Sequence, residues 1–356
     1  MMIVLCLFTV RFVHLTKGKI DMNEKIRFGI SYFGNRMLGH ARRDMKLLKQ
    51  QGFTYVVHTF SEFDLMFHPD NVADIVKMSK ELGLEVHVSP WGVGNVFGGE
   101  PFSHFVNQHY HKACQILDNG EGVPLACPNA PAFRDYMQQW LDTVIAMRPD
   151  AIFWDEPHFH EQGFLSSVKG HWGCRCEYCQ EQFKASLHYD MPKEETADVE
   201  KFKMASIASF IESLTGKAKR SGIRNILYLN PNIDPKDPGD HWEAFTHNRA
   251  VDTLGTGAYW KWRNETTSWV GDFARVINSV SKKGNMGAQL WLQNFGFDEG
   301  EQGQLKTALE NAIQAGIRDI AFWTFAACAH ESWLAGDDPQ RDWDNNLALI
   351  REFLKI

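Results

Sequence analysis

The chain has no block of lysine or arginine, no glycine-rich phosphate loop, no apolar run long enough to span a bilayer, and no low-complexity tract. Each absence removes a class of function. The 37 Lys and Arg residues are outnumbered by 44 Asp and Glu, a net charge of −7. Without a basic patch, nucleic acid is excluded as a partner. No G-x-G-x-x-G follows the first strand pattern, which argues against an open dinucleotide-binding sheet. The first twenty residues are apolar, but no charged n-region precedes them, Arg11 interrupts them and no small-residue cleavage site follows. They make a poor export signal and are too short for a membrane span. Residues 1–24 are therefore expected to be a disordered leader or a mis-assigned start, with Met22 an alternative first residue. Residues 25–356 are expected to fold as one unit, with no linker inside it. Cysteine is sparse and odd in number, seven in all. Three fall in one six-residue window, too close together for a disulfide framework. That favours metal binding in a reducing compartment, and so the cytoplasm.

What is present is ordinary in bulk: 44% hydrophobic and 23% charged residues, as in a globular protein. The outlier is aromatic content, with 25 Phe, 12 Trp and 8 Tyr. Most belong to a core, but tryptophans at strand ends suit the flat apolar faces of sugar rings.

Along the chain a short apolar strand is followed by an amphipathic helix, again and again. Strands are expected at 26–33, 55–59, 85–89, 151–155, 225–229, 253–258, 287–293 and 319–325. Helices are expected at 40–51, 71–82, 132–147, 199–220, around Trp242, 269–281, 303–315 and 343–354. Gly52, Gly83, Gly222 and Gly316 follow helix patterns as C-caps. Eight such units predict an α/β fold of the (β/α)8 TIM-barrel type, with long loops after strands 3 and 4. In that fold the chemistry sits at the C-terminal strand ends. The residues expected there include Tyr32, His58 and Glu62, Ser89 and Trp91, and Asp155, Glu156 and His158. Asn230, Asn232, Tyr259, Trp260, Trp291, Gln293 and Trp323 complete the rim. It is aromatic, amide and carboxylate in character, and suits a neutral polyhydroxylated ligand.

Two constellations carry chemistry. Asp155 and Glu156 follow the apolar Ile152-Phe153-Trp154, a setting that can raise a carboxyl's pKa for general-acid work. Side chains alternate along a strand, so the pair need not face one way, but at a strand end both can reach the barrel mouth. Cys174-x-Cys176-x2-Cys179 offers three thiolates where tetrahedral zinc wants four. His171 and Cys127 are candidates for the fourth. Four thiolates leave no open position, so such a zinc is structural.

At these residues the chain resembles clan A glycoside hydrolases, most of all the family 42 β-galactosidases and related barrels. Cys127-Pro128-Asn129-Ala130-Pro131 resembles that family's Cys-Pro-Asn-Ser-Pro segment. Trp154-Asp155-Glu156-Pro157 is similar to its Asn-Glu motif at the end of strand 4. Cys174-Arg175-Cys176-Glu177-Tyr178-Cys179 looks like its zinc motif. The resemblance covers roughly residues 120–185 and implies zinc ligands Cys127, Cys174, Cys176 and Cys179. Two departures stand out. Asp155 occupies the family's Asn position, and strand 7 ends in Gln293-Asn294 where the family has a nucleophilic glutamate.

The expectation is thus a glycoside hydrolase acting on a neutral sugar or oligosaccharide, with Glu156 as proton donor. Asp155, Glu62, Asp64, Asp298 or Glu299 would supply the second carboxylate, and inversion is favoured slightly. A carbohydrate-binding barrel without turnover is one alternative. A metal-dependent enzyme using His58, His87, His158 or His160 is another, with His158, His160 and Glu161 as one set that could hold a metal. The sequence points to a carbohydrate partner, to no membrane partner, and leaves the oligomeric state open, a homo-oligomer included.

Overall fold

Eight parallel strands close on one another in the computed structural model, which describes residues 25–33, 35–160, 170–236, 242–331 and 333–356. The expected leader and Glu161 lie outside the described residues. In chain order the elements begin β1 (Arg27–Tyr32), α1 (Leu38–Gln50), β2 (Tyr55–Thr59), α2 (Glu62–Phe67), α3 (Pro69–Glu81) and β3 (Glu85–Ser89). There follow α4 (His104–Ala113), a hairpin of β4 (Cys114–Ile116) and β5 (Gly122–Ala126), α5 (Pro131–Met147) and β6 (Ala151–Asp155). The second half runs α6 (Glu177–Leu187), α7 (Ala197–Arg220), β7 (Arg224–Leu229), β8 (Thr253–Ala258) and α8 (Thr267–Lys283). It ends with β9 (Gly287–Gln293), α9 (Gly303–Gln314), β10 (Asp319–Trp323) and α10 (Pro339–Leu354). The barrel order is β1-β10-β9-β8-β7-β6-β3-β2, with β4 and β5 pairing antiparallel outside it. This is the expected TIM barrel, and the hairpin and α4 fill the long loop after β3.

Alternation along the strands sorts the side chains into two layers. Inward-facing Tyr55, Val57, Ala151, Phe153, Ile226, Tyr228, Trp291 and Ala321 pack together inside the barrel. The outward residues, such as Ile30, Val56, Val88, Trp154 and Leu227, join the helices in the main core. Below, polar side chains seal the barrel's N-terminal end. Tyr55 Oη donates to Asp319 Oδ1 at 2.6 Å, Gln289 Nε2 donates to Tyr55 Oη at 3.1 Å, and Trp291 Nε1 donates to Gln289 Oε1 at 2.7 Å. The Trp291 ring is thereby fixed as a floor, and the open space lies above it at the C-terminal end. No helix of the described residues is long and apolar enough to cross a membrane.

Candidate active site and cysteine cluster

A cavity of about 710 Å³ opens at the C-terminal strand ends. Asp155 and Glu156 reach it from β6, and Asn230 and Asn232 from the segment after β7. Tyr259, Trp262 and Arg263 reach it from the segment after β8. Trp291 lies on its floor, and Trp91, Glu100, Phe33 and Trp323 line it too.

The two carboxylates converge because the backbone breaks the strand's alternation. Asp155 faces inward in register with Phe153. Glu156 takes a left-handed φ of 35°, a conformation non-glycine residues hold at a cost of order 1–3 kcal/mol, typically at functional sites. Its N–H donates to Tyr228 O at 3.1 Å, which ends β6 against β7. A Cβ placed on Gly98 would lie 2.9 Å from Glu156 Oε1 and 3.0 Å from Asp155 Oδ2. Two oxygens sharing one such neighbour are no more than about 6 Å apart, below the roughly 6.5–9.5 Å at which inverting pairs stand.

Burial, followed by the charge of Glu100, pushes the Asp155 carboxyl up to about 7. Burial also holds Glu100 above the usual carboxylate range. Tyr228 and Tyr259 share a hydrogen bond, and burial keeps both phenols protonated well beyond their usual range. The site thus offers carboxyls, phenols and two asparagine amides, one of which accepts from Arg263 Nη2 at 2.6 Å through Asn232 Oδ1.

Aromatic rings form the wall. Tyr259, Trp262 and Trp323 lie nearly parallel, with centroids 6.1–6.3 Å apart. Phe33 joins this cluster, 6.2 Å from Trp323 at 13°. Trp262 and Trp333 are 50% and 62% exposed at the rim.

Several expected site residues lie elsewhere, Tyr32 and His58 because strand alternation turns them outward. Tyr32 donates to Asp44 on α1 at 2.6 Å, and neighbouring His58 reaches Ser79 on α3 at 3.0 Å. Burial and the Arg36 charge push His58 down to about 3, so its ring is neutral. Glu62 lies under the rim, where its carboxylate accepts from Gly94 N, Ser103 Oγ and Phe105 N at 2.6–2.7 Å and ties three segments together. Trp260 is fully buried against Phe297 and donates to Gln304. Gln293 faces inward but is spent on Phe295 O and the Trp262 N–H, so it holds the aromatic loop and does not line the cavity. His158 borders a smaller adjoining cavity, and its Nδ1 donates to Glu156 O at 2.7 Å.

The other second-carboxylate candidates are likewise occupied. Asp64 caps α2 and binds Arg36, and Asp298 pairs with Lys261 at 2.6 Å. Glu299 is exposed and does not line the cavity. The residues that sequence reasoning missed are Glu100, Tyr228, Trp262, Arg263 and Phe33. Tyr228 was reachable by counting back two from Asn230, and Glu100 by the Gly98-Gly99 pair before it.

Cys127, Cys174, Cys176 and Cys179 are buried, and their sulfurs lie within 4.8 Å of one another. Cys127 Sγ stands 3.5 Å from both Cys179 and Cys176. Zinc–sulfur bonds of about 2.3 Å in a tetrahedron set sulfurs near 3.8 Å apart, so the four thiols fit one ion. Asn129 N and Asn129 Nδ2 donate to Cys127 and Cys179 at 3.4 Å, and Cys176 N donates to Cys174 at 3.4 Å. Such N–H···S bonds orient thiolate ligands. Hydrogen bonds from Cys127 and its neighbours hold the Cys176 thiol well below its usual range. The cluster clips the end of the β4–β5 hairpin to the start of α6. His171 instead pairs with Asp118 at 3.0 Å. Among the described residues this is the one His, Cys, Asp and Glu group arranged to hold a metal. His87 bonds Glu85 inside the barrel, and His160 is buried away from the cavity lining.

The fold has many solved counterparts. The chain is similar to the catalytic domain of a β-amylase from Paenibacillus polymyxa, with a TM-score of 0.63 and 9% identity over 91% of this chain and 97% of that one. An endo-1,4-β-mannanase from Rhizomucor miehei gives 0.61 and 10% over 94% and 97%. A D-allulose 3-epimerase from Methylomonas gives 0.52 and 12% over 93% and 97%. At these identities the likeness is one of fold. No family model matches the chain, and no curated protein matches it either.

Proposed function

We propose that this barrel hydrolyses glycosides of a neutral sugar or oligosaccharide. The observation that carries the reading is the convergence of Asp155 and Glu156 beside Gly98 in a cavity walled by parallel aromatic rings. Sugar faces stack on such rings, and a carboxyl titrating near neutrality is a proton donor for a leaving oxygen. The sequence gives the donor's role to Glu156. We assign the proton to Asp155, whose titration burial raises to about 7, and give Glu156 the sugar hydroxyls and the orientation of the bond to be cleaved. The β-amylase and the mannanase among the fold's counterparts are compatible with this reading. The cysteine cluster takes a structural zinc, which has no open position and no part in the chemistry.

A binding protein without turnover is the second reading, favoured by Gln293 standing where a strand-end nucleophile is expected. A screen of aryl glycosides and oligosaccharides separates the two. Turnover by the wild type that falls in Asp155→Asn supports hydrolysis. Saturable sugar binding without turnover on any glycoside supports the binding protein.

A further inference from the structure

The glycosidase reading calls for a carboxylate beyond the proton donor, yet Asp155 and Glu156 stand closer than an inverting pair and β9 ends in Gln293. The loop after β3 supplies one. Trp91-Gly92 begins a turn closed by Gly92 N donating to Gly98 O at 2.8 Å. Two further backbone hydrogen bonds seat that turn on the end of β6. Gly98 N donates to Asp155 O at 3.0 Å, and His158 N donates to Val96 O at 3.0 Å. Gly98 must lack a side chain, since its Cβ would press on both carboxylates. Gly99 has φ of 126°, and a Cβ there would stand 1.9 Å from the Trp91 ring. The next residue is Glu100, which lines the cavity and keeps contact with solvent. The glycine pair thus places a third carboxylate over the barrel mouth, held by the same backbone that carries Asp155.

We propose that Glu100 is the second catalytic carboxylate of this site, activating the water that displaces the leaving group while Asp155 supplies the proton. This rests on the glycosidase reading. The ionised Glu100 takes one proton from water as the water oxygen bonds to the anomeric carbon. The bond from that carbon to the leaving oxygen breaks, and that oxygen takes the Asp155 proton. The products are the free sugar of inverted configuration and the alcohol, and the proton on Glu100 returns to Asp155 through solvent. Solvent contact at Glu100 suits a base that works through water. The charged and titratable groups facing Glu100 are Asp155 from β6, and Glu331 and Cys328 from the segment after β10. Arg263 lines the same cavity but is tied to Asn232.

The test uses the full chain and the 4-nitrophenyl glycoside that the wild type cleaves best. Glu100→Ala is expected to lower kcat about 1000-fold with little change in KM. Sodium azide is expected to restore turnover and to release the glycosyl azide of inverted configuration. In Glu100→Gln, carbon-13 NMR is expected to show the Asp155 carboxyl titrating below its wild-type midpoint. Retention of kcat within about threefold in Glu100→Ala, or a loss that azide does not rescue, overturns the role of Glu100 and leaves the glycosidase reading intact. An unchanged Asp155 midpoint overturns the facing of the two groups. A wild type that cleaves no glycoside overturns both readings together.

Discussion

Gly98 lies against Asp155 twice over: its N–H donates to the Asp155 carbonyl at 3.0 Å, and its missing side chain leaves room for the Asp155 carboxylate. A methyl group at this position would have to displace one carboxylate or lift the loop. Gly98→Ala is therefore expected to cost at least about tenfold in kcat/KM, because misplacements near 1 Å are severe at a reacting centre. The melting temperature should fall as well, since Gly98 is buried and its loop is packed on the end of β6. Steady-state kinetics beside a thermal melt checks both.

The Asp155 carboxyl titrates near 7 in the folded chain, above its ordinary 3.8. A raised carboxyl means the folded state binds the proton more tightly than the unfolded state does. Its contribution to stability is therefore present below about pH 4 and is lost as pH rises through 7. Asp155→Asn is expected to match the wild type in denaturant unfolding at pH 4 and to exceed it at pH 8. The same titration should give turnover an alkaline limb near pH 7. Equal unfolding midpoints for the two proteins at pH 8 would contradict the shift.

The cysteine cluster predicts close to one zinc per chain by elemental analysis. Cys176→Ser should lose the metal and several kcal/mol of stability, roughly 10 °C in Tm for a chain of this size. A metal-free wild type as stable as the metal-loaded one would refute the structural role.

Trp262 carries the aromatic cluster to the rim while still half exposed, so it has contact area to offer a ligand. Trp262→Ala should weaken binding of an oligosaccharide about tenfold and leave kcat nearly unchanged. Isothermal titration with the inactive Asp155→Asn protein measures the first effect and saturation kinetics the second.

Much of the fold was legible because strand and helix periods differ. Strands at 55–59, 85–89, 253–258 and 287–293 match β2, β3, β8 and β9 at both ends. The β4–β5 hairpin was not legible, because three residues such as Cys114–Ile116 carry too little alternation to register. Strand ends located the rim, but pleat parity decides which residue enters it. Ser31 and Thr59 line the cavity, while Tyr32 and His58, the more chemically suggestive neighbours, turn outward. Cysteine spacing identified three of four thiols unaided, and the fourth needed a partner 47 residues upstream of Cys174 that only folding brings close. Glu100 escaped notice because its position depends on hydrogen bonds to β6, which leave no periodic signature.

General-acid catalysis by the carboxyl pair at the end of β6 is tested most directly by varying the leaving group. The Asp155→Asn and Glu156→Gln proteins should be compared with the wild type on one sugar carrying either a dinitrophenyl or a simple alkyl group. A nitrophenolate leaves without a proton and an alkoxide does not. Loss of the donor should thus cost about 1000-fold on the alkyl glycoside and far less on the dinitrophenyl one in Asp155→Asn. Glu156→Gln should lower both to a similar degree. Equal, small losses on both substrates in both variants would contradict a catalytic role for the pair.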